Sequence, residues 1–155
     1  MANLTVTHTE DITLNGQQFG GTNVYSITGI NDISKRIVTC PANQDSTIGM
    51  FQAAENTTDG AMAVADVKYI RVTNLDGSNP INLSLQIANS EDGTADFSGT
   101  ILVAAGQSFV MGTPHDGIQV SDASASIITT LVDLESILID PGANNVKVEV
   151  IIASV

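Results

Sequence analysis

Apolar and polar residues alternate along most of this chain with a period of two, the signature of strands that bury one face. Leu4, Val6 and His8 alternate with Thr5, Thr7 and Thr9, and Ile12 and Leu14 follow before Asn15-Gly16 supplies a tight turn. Val24, Ser26 and Thr28 alternate with Tyr25 and Ile27 until Gly29, which is expected to end that segment. Ile33 to Cys40 resumes the alternation and Pro41 stops it, while Thr47 to Gln52 reads as a further strand. Ala53 to Ala65 is small and polar and reads as a long loop with room for a short helical turn. Loops of that length often carry contacts.

Val67 to Asn74 and Ile81 to Ile87 flank Leu75-Asp76-Gly77-Ser78-Asn79-Pro80 and are expected to form a hairpin, with Gly77 at positive φ. Ile81, Leu83, Leu85 and Ile87 make one face of the second strand apolar, so it is placed on a core. Ile101–Val103 and Ser108–Met111 flank a turn at 104–107, and Gly117 to Val120 reads as a short strand. Leu131 to Asp140 fits either a helix, through Leu131, Leu134, Ile137 and Leu138, or a strand. Pro141-Gly142-Ala143-Asn144 turns the chain before Val146, Val148, Val150 and Ile152 alternate to its end.

About eight to ten short strands at this spacing predict one all-β domain over residues 1–155, an antiparallel β-sandwich, with a jelly roll the preferred architecture. An immunoglobulin-like sandwich lacks its usual marks, since there is no Trp and no Cys pair. Strand order stays open, because several pairings satisfy the same alternation.

Composition narrows the function. Apolar residues are 43% of the chain and charged ones only 14%, against roughly 25% in ordinary soluble domains. Thr, Ser, Asn, Gln and Gly replace the missing charge, which suits solvent faces that are uncharged or covered by neighbours. The net charge of −12, from 17 acidic and 5 basic residues, disfavours nucleic acid and anionic membranes as partners. Cys40 is alone, so no intrachain disulfide forms; an alternating apolar run makes it a buried thiol, and the chain reads as made in a reducing cytosol. No basic, apolar leader opens the sequence, and no apolar run reaches the roughly 20 residues of a membrane helix. Three glycosylation sequons, at Asn3, Asn56 and Asn82, are what chance supplies in so Asn- and Thr-rich a chain.

Candidate chemistry is thin. The histidines are His8, on a strand, and His115, beside Asp116 in a turn-like loop. That pair is the nearest approach to an acid–base couple, and His115 is expected to be a solvated loop histidine. The nucleophile-elbow, phosphate-loop and dinucleotide glycine patterns are missing, and a Cys/His zinc site lacks ligands. Asp76, Ser78 and Asn79, and separately Glu91, Asp92 and Asp96, are oxygen donors of the kind Ca²⁺ takes, yet such residues build turns without metal. No enzyme, cofactor or metal is expected. Lys35, Arg36, Lys68 and Arg71 hold four of the five basic charges, all within strands. They pair either with local carboxylates or with a partner across an exposed sheet.

The opening residues 1–10 with Leu14-Asn15-Gly16, the run Lys35-Arg36-Ile37-Val38-Thr39, the segment from Lys68 to Asp76 and the turn from Ala105 to Phe109 resemble small virion structural proteins of tailed bacteriophages, of marine and cyanobacterial type. The resemblance spans most of the chain and rests on strand and turn patterns. It implies a non-enzymatic part of the capsid surface, made in the host cytoplasm: a decoration (cement) protein that bridges major capsid protein subunits as a homo-oligomer, preferably a trimer. A tail, neck or fibre component is the alternative, and a carbohydrate-binding sandwich on the virion is a second. The scarcity of aromatic platforms, Tyr25 and Tyr69 with no Trp, counts against the last. Partner contacts are expected from Leu4, Val6, His8, Ile12 and Leu14, from Lys35, Arg36, Lys68 and Arg71, and from the loop at 53–65.

Overall fold

A computed structural model describes residues 1–87, 97–120 and 127–155. The acidic cluster Glu91, Asp92 and Asp96 lies outside them, as does the first part of the Ser- and Ala-rich stretch from Ser121.

Two antiparallel sheets face one another, and a two-stranded ribbon accompanies them. The ribbon pairs β1 (Ala2–Thr9) with β4 (Thr22–Ile30), and its tip is the small hairpin of β2 (Thr13–Leu14) and β3 (Gln17–Gln18). Asn15 and Gly16 both take positive φ at that tip, 52° and 77°, as the mirror-image hairpin turn demands. Gly29 does not end its strand. At φ 81° it sits in a bulge, where Ala2 pairs with Ile30 but Leu4 pairs with Ile27, so one extra residue of β4 is accommodated.

The sandwich follows from β5 (Asp32–Cys40), β6 (Ser46–Gln52), β7 (Met62–Ala63), β8 (Val67–Asn74), β9 (Ile81–Ile87), β10 (Phe97–Val103), β11 (Ser108–Met111), β12 (Leu134–Asp140) and β13 (Val146–Ser154). One sheet runs β10-β9-β12-β6-β7 and the other β11-β8-β13-β5. Leaving aside the two-residue β7, the eight strands counted in chain order read 2-7-4-5 and 1-8-3-6 across the two sheets. This is jelly-roll order, in which most successive strands change sheet.

That order corrects the expected hairpin of Val67–Asn74 with Ile81–Ile87. Both segments are strands, but β8 pairs with β11 and β13 while β9 pairs with β10 and β12. The connection at 75–80 arches between the sheets. Asn74, fully buried, holds it: its amide donates to the Asn79 carbonyl at 2.9 Å, and its Oδ1 accepts the Asp76 N–H at 3.0 Å. Gly77 needs no positive φ there. Residues 117–120 form only an isolated bridge, Ile118 with Val132, rather than a strand.

Leu134–Asp140 is a strand, and its helix-like spacing has a cause. The register shifts between Leu134 and Ser136, so residues three apart, Leu134 and Ile137, both reach the core. The end of the 53–65 loop also folds inward: Ala61, Ala63 and Val64 are buried, Met62–Ala63 adds a short parallel strand to β6, and a 3₁₀ turn spans Val64–Asp66. Between the sheets, Ile48, Ile70, Val72, Leu83, Ile137, Ile139 and Ile152 are fully enclosed, each strand giving alternate residues.

Candidate assembly surface

The outer face of the four-stranded sheet is where the sequence-selected residues gather. Registers across it place Ile33 beside Ala153 and Tyr69; then Lys35, Ile151, Arg71 and Val110; then Ile37, Glu149, Thr73 and Ser108; and finally Thr39 beside Lys147. Each belongs there because side chains of a strand alternate between faces, and the intervening Val38, Val72, Val148, Val150 and Ile152 point to the core.

The ribbon covers Tyr69 and Ala153 of the first row and leaves Ile33 open. Val6 and Ile30, with Leu4 and Ile27, pack on Tyr69, Ala153 and Ile151, forming a second small apolar cluster outside the main core. Burial there pushes the Tyr69 phenol above its ordinary pKa. Farther along, the ribbon stands off. Leu4 to His8 on one side and Tyr69, Arg71, Ser108, Val110 and Ile151 on the other enclose an open groove of about 370 Å³. Beyond it the face is uncovered, and Ile33 and Ile37 are 54% and 61% exposed.

Charge on this face is organised around Glu149. Its carboxylate meets Lys35 Nζ at 3.3 Å and accepts a hydrogen bond from Arg71 Nη2. The Lys35 hydrogen bond, joined by that of Arg71, holds Glu149 below the usual glutamate range. With Lys147, the face carries three of the chain's five basic residues and one acid. In a molecule of net charge −12 it is a local cationic field.

The ribbon tip is different in kind. Ile12, Leu14 and Phe19 are each more than half exposed, so none rests on its own sandwich. The pairing persists along the tip, through Glu10 N–H to the Gly21 carbonyl at 2.8 Å and Phe19 N–H to the Ile12 carbonyl at 2.9 Å. Gln18 ties it further, donating from Nε2 to Asp11 Oδ1 and accepting from Thr13 Oγ1, both at 2.7 Å. The first 31 residues hold Glu10 and Asp11 and no Lys or Arg.

The expected contact residues therefore part company. Leu4 and Val6 are taken up against the chain's own sheet, and His8 lines the groove with its ring stacked on Tyr25 at 6.0 Å. Ile12 and Leu14 stay free at the tip, and Lys35 and Arg71 meet at Glu149. Arg36 leaves β5 on its other side, stays exposed at this edge of the sheet, and donates from Nη2 to the Ile48 carbonyl of the opposite sheet at 2.6 Å. Lys68 bonds locally to the Ala65 carbonyl at 2.6 Å. Phe19, Ile33, Ile37 and Lys147 were not among the expected residues. An exposed Phe and isoleucines in alternating strands look like core residues until the sheets' faces are known.

Two other clusters have local explanations. Asp76 Oδ1 accepts the N–H groups of Ser78 and Asn79 and the Asn79 amide, at 2.7 to 3.0 Å, and these bonds, led by that of Asn79, lower its pKa. It shapes the arch between β8 and β9. His115 spans one exposed and one half-buried carboxylate, with Nδ1 3.2 Å from Asp116 and Nε2 3.8 Å from Asp133. Three donor atoms lie within 4.8 Å of one another, yet the ring turns a different nitrogen to each carboxylate instead of converging all three on one point. Asp133 also accepts the Asp116 N–H at 2.8 Å, which pins the loop at φ 48°. Sequence proximity joins His115 to Asp116 but gives no sign of Asp133.

No protein-family model and no curated protein matches the chain. Among solved structures, a chain from Bacillus endospore appendages, described as a novel family of disulfide-linked pili, aligns over 83% of this chain and 92% of its own at 17% identity. The TM-score of 0.37 makes that a loose superposition.

Proposed function

We propose that this chain is a non-enzymatic structural subunit that works by assembly, and that its place is the outside of a tailed-phage capsid, where it decorates and cements the major capsid protein. The observation that carries the assembly role is the ribbon tip: Ile12, Leu14 and Phe19 stand in solvent on a hairpin closed by its own hydrogen bonds. Large apolar side chains grouped on a projecting element mark an interaction site. The capsid assignment comes from the virion-protein resemblance of the strand and turn segments. A rigid jelly roll docked across a seam between capsid subunits adds buried area where pressure from the packaged genome separates them.

The test is binding of the purified chain to undecorated, expanded phage heads, imaged by electron cryomicroscopy. Ordered density at local symmetry axes, with heads then surviving heat or low salt, supports cementing. Density at the tail alone transfers the role to a tail, neck or fibre part. No density on any virion component at saturating protein removes the phage assignment.

A further inference from the structure

The tip and the open sheet face are complementary, and they lie on the same molecule. From Thr9 to Leu14 the ribbon extends about 17 Å at the usual strand rise, carrying Ile12, Leu14 and Phe19 together with Glu10 and Asp11. The uncovered part of the four-stranded sheet offers Ile33 and Ile37 beside Lys35 and Lys147, with Glu149 between them and Arg71 and Val110 at the margin, in the groove beside the chain's own ribbon. Apolar surface is available on both, and the charges are opposite in sign.

We infer that the ribbon tip of one copy docks on the open outer face of the four-stranded sheet of a second copy, beside that copy's own ribbon. The charge pattern selects this pairing over its rivals. A tip meeting a tip sets Glu10 and Asp11 against themselves. A face meeting a face does the same for Lys35 and Lys147. The rest of the surface belongs to a molecule of net charge −12, so copies repel elsewhere. The occupant is a second copy because a tip of the right sign and apolar character is supplied by every chain present.

Donor and acceptor surfaces are different patches, so the contact can run head-to-tail or be exchanged reciprocally. Run head-to-tail it generates a ring when the rotation closes and an open filament when it does not, and exchanged reciprocally it gives a two-fold dimer. A ring of three fits the capsid role, and the contact deepens that assembly role and rests on it.

The deciding experiment measures mass in solution by light scattering and native mass spectrometry, for the intact chain and two charge-reversed forms. One carries Glu10→Lys and Asp11→Lys; the other carries Lys35→Glu and Lys147→Glu. Each alone is expected to self-associate at least tenfold more weakly than the parent. Mixed together they are expected to regain association, because each then supplies the partner the other lacks. Should the second form fail to fold, Phe19→Ser with Ile12→Ser changes only exposed tip residues and must weaken association equally. A chain that stays single at its highest soluble concentration overturns the contact, as does an assembly indifferent to the reversals. Failure to bind heads by a chain that forms the ring defeats the capsid reading alone. A chain that coats heads but remains single in solution, with no tip on a neighbour's sheet, defeats the contact alone.

Discussion

Gly20 passes so close to Glu10 that a Cβ at position 20 would overlap the Glu10 carbonyl oxygen and crowd the Asp11 Cα. Backbone lies on both sides of this approach, so no side-chain rotation relieves it. The glycine sets how the two strands of the ribbon cross just below the tip. Gly20→Ala is therefore expected to open the tip while sparing the sandwich. Amide exchange at Glu10 and Phe19, whose N–H groups close the tip, should accelerate at least tenfold, while core amides such as those of Ile70 and Ile152 keep their protection. Unchanged exchange at Phe19 would show that the strands tolerate the clash.

Glu149 gives the sheet face an acid-sensitive component. Its carboxyl titrates lower in the folded chain than in the unfolded one, chiefly through Lys35 and then Arg71. The stabilisation is complete above the ordinary glutamate pKa and is lost as pH falls through the lowered folded value. Glu149→Gln should cost at most about 1 kcal/mol at pH 7, since partly exposed pairs contribute little, and should flatten the acid limb of stability against pH. Thermal unfolding of both forms from pH 7 to pH 3 reads this directly, and parallel curves would contradict it.

Asn74 is the buried polar residue at the foot of the arch between β8 and β9. Its amide faces the carbonyls of Asn79, Val103 and Ala104, so Asn74→Asp exchanges a donor for an anion among acceptors. The loss should be at least about 2 kcal/mol at pH 7, more than truncation of an exposed amide causes. The carboxyl introduced is held above its ordinary pKa, so the deficit is complete above that raised value and shrinks as pH falls toward the ordinary aspartate range. Urea unfolding at pH 7 and pH 4 tests both the size and the sign.

Cys40 is fully buried at the end of β5, and burial raises its thiol pKa despite a hydrogen bond with Ser46. A neutral, enclosed thiol is a poor nucleophile. Aromatic disulfide reagents should leave it untouched in the native chain and modify it at the rate of unfolding, which makes it a reporter of global opening. Rapid reaction in native buffer would mean that this end of β5 frays.

What could be read from the sequence is local. Asn15-Gly16 announces its turn because two successive positive φ values suit that dipeptide, and Ile81 to Ile87 announces a buried face because its period is two. Pairing is harder to read. Val67–Asn74 and Ile81–Ile87 each bury one face whether they share a sheet or face each other, and the connection at 75–80 is long enough for either. The bulge beside Leu134 imitates a helix by setting core residues three apart. The assembly surface was half visible for the same reason. Lys35 and Arg71 become neighbours because β13 inserts between their strands, bringing Glu149 with it. Adjacent Lys35 and Arg36 part to opposite faces, one to Glu149 and one to the Ile48 carbonyl.

The position of β13 between β5 and β8 has a consequence during synthesis. β5 waits for about 100 further residues before its pairing partner exists, which at about 5–20 residues per second means several seconds on the ribosome. In that interval an apolar strand with Ile33, Ile37 and Val38 is a template for wrong pairing. Lys35 and Arg36 interrupt it on both faces, so the nascent strand repels copies of itself until the last segment arrives.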